Sequence, residues 1–327
     1  MPELDTAEQA GAILELAKIA GTEEGSVTLD GVRWRYLHAG SGPPLLLIHG
    51  FMAYSFSWRF NMEALSRHFS VYAIDLPGCG FSQRTDEPQC SLASDAEGVL
   101  RFMEYFGMEQ ADVLGTSRGG GVAIVLATLA AQRSKRHLVR RLLLVCPINP
   151  WSSHGRLLTR LLATALGGFA VTHILPRLPG VMLRYFRRLY GDPSRIAPGS
   201  IEGYKAGLDV PGSFKHMLRI VRSWHCDLTL IEESLPAIGE LPTLLLWGSR
   251  DTAVYASSAY ALQSRLKNSA LVMLDGVGHV PYEEVPEEFN RVICDFLLHD
   301  TPPTPLETAP ELPTSSQVSS VAAPLKD

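Results

Sequence analysis

The stretch from Asp112 to Ala127 reads DVLGTSRGGGVAIVLA and sets Ser117 between Gly115 and Gly119 as G-x-S-x-G. Val113 and Leu114 read as the end of a buried strand, and Val122 to Leu129 as a helix packed by its small side chains. A serine at such a strand-to-helix turn has its hydroxyl lifted above the sheet edge, and small neighbours are what allow the turn. The N-terminal amides of the helix then point at the same spot, which suits a developing negative charge. On this window alone, a glycine-rich loop with a capping serine is the competing reading.

A serine is a poor nucleophile at neutral pH unless a base takes its proton, and the base needs an acid to orient it. Those partners are expected just past the ends of later strands. After the apolar run Thr243 to Trp247 comes GSRDTAV, which places Asp251 in the following loop. After Ala270 to Leu274 comes DGVGHVPYEEVP, which places His279 in the next such loop. Asp275 is too near His279 along the chain to orient it, Asp227 lies in a different kind of segment, and Asp75 reads as a structural turn residue. His49 reads as a residue that shapes a loop, and Cys79, between Gly78 and Gly80, reads as packing.

These residues need a sheet to hold them. SVTLDGVRWRYLHAG alternates apolar and polar residues around Asp30-Gly31, which predicts a hairpin. Leu45 to Ile48, Val71 to Ile74, Leu142 to Cys146, Thr243 to Trp247 and Ala270 to Leu274 are short buried-strand runs. Helical patterns over Trp58 to His68 and Leu92 to Phe106 fall between them. Alternation of this kind predicts an α/β fold with a mostly parallel central sheet flanked by helices and active groups at the carboxyl ends of the strands. The alternation stops over 151–235, where proline-broken helical patterns predict an inserted helical cap. The core is then expected over 26–150 and 236–300, with an N-terminal helical extension over 1–25 and a disordered tail over 301–327.

Five blocks in order, HGF from His49, DLPGCGFS from Asp75, GTSRGG from Gly115, PTLLLWGSRD from Pro242 and GVGHVPYEEVPEEFN from Gly276, make the chain resemble the α/β-hydrolase superfamily from about Ser26 to His299. The resemblance implies the α/β-hydrolase fold with Ser117 as nucleophile, His279 as base and then acid, and Asp251 as the group that fixes the imidazole tautomer. It also implies an oxyanion hole made by the backbone amides of Phe51 and Arg118, with no metal and no cofactor. Members similar to haloalkane dehalogenases and epoxide hydrolases carry aspartate at the elbow, so serine points to acyl transfer. Carboxylic esters with small to medium, largely apolar acyl groups are the expected substrates. Carbon–carbon hydrolysis of ring-cleavage products, lipid hydrolysis at a membrane, and non-catalytic ligand binding are the alternatives.

Composition narrows the partners. The chain has 327 residues, a formal net charge of −5 and no feature that calls for nucleic acid. Its five cysteines are odd in number and lack C-x-x-C spacing, which predicts a reducing compartment rather than a disulfide framework or zinc site. The acidic start MPELDTAEQ does not read as a signal peptide, and the apolar stretch Leu161 to Pro176 is short for a membrane span, so a cytoplasmic location is expected. Within the insertion, arginines interleave with leucines and aromatics, giving amphipathic helices with a basic face. Contact of that face with a membrane surface is open but not favoured over simple solvation. Trp151, His154 and Trp224 are candidate pocket walls, and oligomeric state is left open.

Overall fold

The computed structural model describes residues 19–85, 90–153 and 155–299. The helix expected near the N-terminus, His154 and the tail over 301–327 lie outside the described residues.

The hairpin forms around Asp30 and Gly31, whose φ values of 50° and 77° are those that a two-residue turn between right-twisted strands requires. Leu29, at the end of β1 (Glu23–Leu29), pairs with Val32, at the start of β2 (Val32–Ala39). β1 starts inside the segment expected as a helical extension, because Glu23, Glu24 and Gly25 pair with His38, Leu37 and Tyr36.

Six further strands complete one sheet: β3 (Pro44–Ile48), β4 (Ser70–Asp75), β5 (Ala111–Thr116), β6 (Val139–Val145), β7 (Thr243–Gly248) and β8 (Ser269–Leu274). Their order is β1-β2-β4-β3-β5-β6-β7-β8, with β1, β2 and β4 paired antiparallel and every other pair parallel. Leu45 to Ile48 are fully buried, as a strand covered on both faces demands. β3 lies between β4 and β5, so the chain reverses direction across the sheet there. In open α/β sheets that reversal leaves a crevice at the carboxyl ends, where ligands bind. β3 runs out into His49 to Phe51, and β5 runs out into Ser117.

The helices Leu92–Tyr105, Arg118–Gln132, Ser213–Ile238 and Pro286–Leu298 pack around this sheet. Ser91 starts the first of them with a capping box, its hydroxyl accepting from the Ser94 amide while the Ser94 hydroxyl accepts from the Ser91 amide. The single helix expected over Trp58 to His68 is instead a tight turn at Ser55–Trp58 followed by a short helix at Met62–Ser66. The segment is pinned from both sides: Asp75 accepts the Ser55 amide, while Asn61 donates to Tyr282 and Asn290.

Between β6 and β7 the chain forms helices at Arg156–Ala163, Ala165–Phe169, Pro179–Leu189 and Ser200–Asp209, and then the long helix Ser213–Ile238. That last helix runs across the boundary expected at residue 235. Its first half carries Met217 and Leu218, which pack on Val171, and its second half buries Leu228, Ile231 and Leu235 in the main core.

Asp75, at the end of β4, is fully buried and accepts from the Ser55 and Phe81 amides and from the Arg35 guanidinium at 3.2 Å. Removing one partner of a buried pair leaves an uncompensated charge. Asp75→Ala is expected to cost about 3–5 kcal/mol in urea unfolding. A loss too small to measure would mean that Ser55 and Glu24 satisfy Arg35 without it.

Candidate active site

Ser117 sits where β5 turns into the helix Arg118–Gln132, with φ of 52° and ψ of −119°. A non-glycine residue rarely holds a positive φ, and such strain persists only where the surroundings fix it. They do so on both sides: the Ser117 amide donates to Val145 at 2.9 Å, and its carbonyl accepts from Ile148 at 3.0 Å. The flanking glycines are there for close approach. A Cβ on Gly115 would lie 2.3 Å from the Gly119 carbonyl oxygen, and one on Gly119 would lie 2.4 Å from the Ile48 and His49 oxygens. All of these neighbours are backbone, so nothing can give way.

His279 and Asp251 meet although 28 residues separate them: the His279 Nδ1 to Asp251 Oδ2 distance is 2.7 Å. The other carboxylate oxygen of Asp251 accepts from the Ala253 and Val254 amides at 2.7 and 2.9 Å. The carboxylate is thus fixed by its own loop, and it selects the tautomer that puts the proton on Nδ1. That leaves Nε2 free to act as a base. A second carboxylate, Glu284, accepts from the amides of Gly278, Gly191 and Asp192 and so ties the His279 loop to the cap. The Ser117 hydroxyl has no hydrogen-bond partner among the described residues. Hydrogen bonds of this kind are often long in a free enzyme and shorten with substrate.

The Cys146 thiol lies close to this pair, with its sulfur, a carboxylate oxygen of Asp251 and a ring nitrogen of His279 within 4.8 Å of one another. Burial, and then the nearby Asp251 carboxylate, push the thiol well above its usual range, and the carboxylate and imidazole are already engaged with each other.

The helix beginning at Arg118 leaves its first amide without an intrahelical acceptor. Among the described residues neither that amide nor the Phe51 amide has a partner, and both adjoin residues that line the cavity described below. His49 holds the Phe51 loop. The Leu76 amide donates to its Nε2 at 3.1 Å, so Nδ1 carries the proton and donates to the Gly50 carbonyl at 2.8 Å. Burial lowers its pKa and keeps it neutral. The Arg118 side chain turns away into the core, where it is paired with Asp95 at 2.6 Å and donates to the Cys90 carbonyl. Burial works most strongly against its charge, but Asp95 and Asp227 together outweigh that effect, leaving the pKa raised.

Ser117 and His279 both line a cavity of about 390 Å³. Cap residues such as Leu158, Leu162, Val181 and Phe186 form one wall, and Phe51, Ile148 and Val280 form another. Trp224 is in the wall, its ring edge-on to Phe51 at 5.7 Å. Trp151 is not: it is only partly buried, and the Arg265 guanidinium sits 4.0 Å over its ring, so the expectation of a pocket role is corrected. Asp227 and Asp275 are elsewhere, Asp227 holding the Leu92 amide and Asp275 the Ser249 hydroxyl.

One end of the cavity is polar, which the sequence reading missed. Glu283 is buried there and accepts from Arg59 at 2.7 Å, Tyr190 at 2.6 Å and Tyr204. Burial, reinforced by the Glu283 carboxylate, raises both tyrosine pKa values, so they remain neutral hydroxyls. In sequence Glu283 and Glu284 look like a solvated acidic pair; only their position behind the proline-initiated turn at Pro281 hints otherwise.

A reversal-point crevice with a strained serine on one side and an imidazole–carboxylate pair on the other defines a protein of the hydrolase class. The chain belongs to the alpha/beta hydrolase family, whose model matches residues 45–292. It is 29% identical over 278 residues to the uncharacterised hydrolase YugF of Bacillus subtilis, covering 83% of this chain and 96% of that one. It is also 25% identical over 293 residues to monoacylglycerol lipase ABHD6 of Rattus norvegicus, covering 82% of each. Among solved structures it is similar in fold to CarC, a serine hydrolase involved in carbazole degradation, with a TM-score of 0.68, 22% identity and coverage of 85% of this chain and 99% of that one.

The buried ion pair separates two roles for residue 118. Arg118→Met keeps the backbone amide but leaves Asp95 unpaired, so about 3–5 kcal/mol of stability should be lost in denaturant unfolding. Turnover per folded molecule should stay within a fewfold of wild type. A large fall in turnover at full folding would give the guanidinium a direct part in the reaction.

Proposed function

We propose that the protein hydrolyses carboxylic esters with small to medium, largely apolar acyl groups through an acyl-enzyme on Ser117. The observation that carries this reading is that the strained serine and the Asp251-held imidazole open into one largely apolar cavity. Ser117 Oγ attacks the ester carbonyl carbon as His279 Nε2 takes its proton. The carbonyl oxygen becomes an oxyanion that accepts from the Phe51 and Arg118 amides, each such donor being worth about 3 kcal/mol. Collapse expels the alkoxide, which receives the proton from His279. Water then attacks the acyl-enzyme, again deprotonated by His279, and releases the acid and free Ser117.

The polar end of the cavity refines the substrate. The rat relative is named a monoacylglycerol lipase, and a glycerol monoester of a small or medium acid has an apolar part with free hydroxyls at one end. The Tyr190 hydroxyl, whose proton goes to Glu283, has lone pairs left to accept from such a group. Apolar walls suit the acyl chain.

Stopped-flow hydrolysis of p-nitrophenyl esters of increasing chain length, alongside a monoacylglycerol, tests the reading. A burst is expected in the wild type and not in Ser117→Ala, with steady turnover reduced on the order of 10⁶-fold. Asp251→Asn should lose about 10⁴-fold by favouring the wrong tautomer. Turnover of no ester by a folded protein would overturn the reading and favour carbon–carbon hydrolysis or ligand binding.

The pH profile follows from the base. Protonation of His279 removes the acceptor, so kcat/KM should fall about tenfold per unit on the acid side. His216 is pulled down to about 3, first by burial and then by nearby arginines, so it does not contribute to that limb. A kcat/KM with no acid limb would contradict the role of His279.

A further inference from the structure

The cap turns apolar side chains outward. Of the fourteen large apolar side chains exposed among the described residues, ten lie between Leu157 and Tyr185. Single exposed leucines are ordinary on a protein surface, but a concentration of this kind marks an interaction site. The helix Arg156–Ala163 has no buried residue, and Leu157 and Leu166 are 71% and 81% exposed.

The same surface is basic, and no acid among the described residues neutralises it. Between Trp151 and Gly191 the chain has six arginines and no aspartate or glutamate, although its formal net charge is −5. Arg160, Arg184, Arg187 and Arg188 are exposed, and none has an ion-pair partner among the described residues. Arginines elsewhere on the surface do find acids, as Arg67 finds Glu63 and Arg101 finds Asp30. Arg184, Arg187 and Arg188 instead line an open groove with Leu183.

The outward and inward faces meet at the cavity. Leu158, Val181 and Tyr185 are exposed and yet line the cavity that holds Ser117 and His279. An apolar molecule reaching the site past them would stay in contact with apolar side chains throughout.

We propose that the cap, from Arg156 to Leu189, is a docking surface for an anionic phospholipid bilayer, because its exposed leucines are interleaved with arginines that no described acid pairs, and lead into the cavity. The leucines and Phe169 enter the acyl boundary while Arg160, Arg184, Arg187 and Arg188 meet lipid phosphates. Contact is shallow. The pieces Arg156–Ala163 and Ala165–Arg177 meet at 86°, and no single helix among the described residues is long and apolar enough to cross a membrane. A second copy of the chain is a poorer occupant, since two such caps face to face would oppose arginines with no acid between them.

Binding is the readout, so the test does not depend on the ester reading. The full chain is sedimented with vesicles of phosphatidylcholine alone or with phosphatidylglycerol, at low and high salt. The wild type is expected to bind the anionic vesicles and to release them at high salt. A folded variant carrying Arg184→Gln, Arg187→Gln and Arg188→Gln should bind them about a hundredfold more weakly. One carrying Leu157→Ser, Leu161→Ser and Leu166→Ser should lose binding even at low salt. Absence of wild-type binding to anionic vesicles, or equal binding to both compositions, would overturn the proposal. So would a wild-type dimer that the leucine variant converts to monomer, which would assign the surface to a second copy.

Discussion

The arrangement at the carboxyl edge of the sheet depends on one steric constraint: the backbone of the helix Arg118–Gln132 must approach β3 and β5 more closely than any side chain would allow. Gly115 and Gly119 meet each other and the Ile48 and His49 carbonyls at distances that leave no room for a Cβ. That contact lets Ser117 stand in a conformation that L-residues avoid. It also brings the first amide of the helix to the same side as the Phe51 loop. The cost of the strained turn is carried by the core beneath it, where Leu45 to Ile48 and Val113 to Leu114 are fully buried.

Around that turn the protein uses carboxylates as fasteners, each at a different joint. Asp75 ties β4 to the Ser55 turn and to Arg35, Asp95 holds the Arg118 side chain away from the cavity, and Glu284 links the His279 loop to the cap. Asp251 differs in that its partner is an imidazole, and two loop amides leave one of its oxygens for that bond. Burial makes each bond matter more, because an unpaired charge in the interior is expensive. The long helix Ser213–Ile238 serves both parts of the molecule: Met217 and Trp224 line the cavity from its first half, and its second half is set in the core.

The strands, the hairpin turn and the placement of Ser117, Asp251 and His279 just past strand ends could be read from the chain because each has a local signature. Continuous apolar runs mark strands covered on both faces, Asp-Gly marks the turn, and glycines on either side of Ser117 mark the elbow. The polar end of the cavity had no such signature. Glu283 resembles a surface acid until Arg59, Tyr190 and Tyr204 arrive from three distant segments. Trp151 erred in the opposite direction: a large aromatic at the start of the insertion suggested a pocket wall, but Arg265 covers its ring outside the cavity.

By itself the sequence determined the alternation of strands and helices, the order of Ser117, Asp251 and His279, and the basic, acid-free stretch of the cap, since all of these are properties of neighbouring residues. Tertiary structure decided what required distant segments to meet. It set the 2.7 Å contact of His279 with Asp251, the direction of the Arg118 side chain, and the cavity enclosed between cap and sheet. Local periodicity states which face of an element is apolar, but not which other element will cover it. That choice is made by packing, where side chains far apart in the chain compete for the same space.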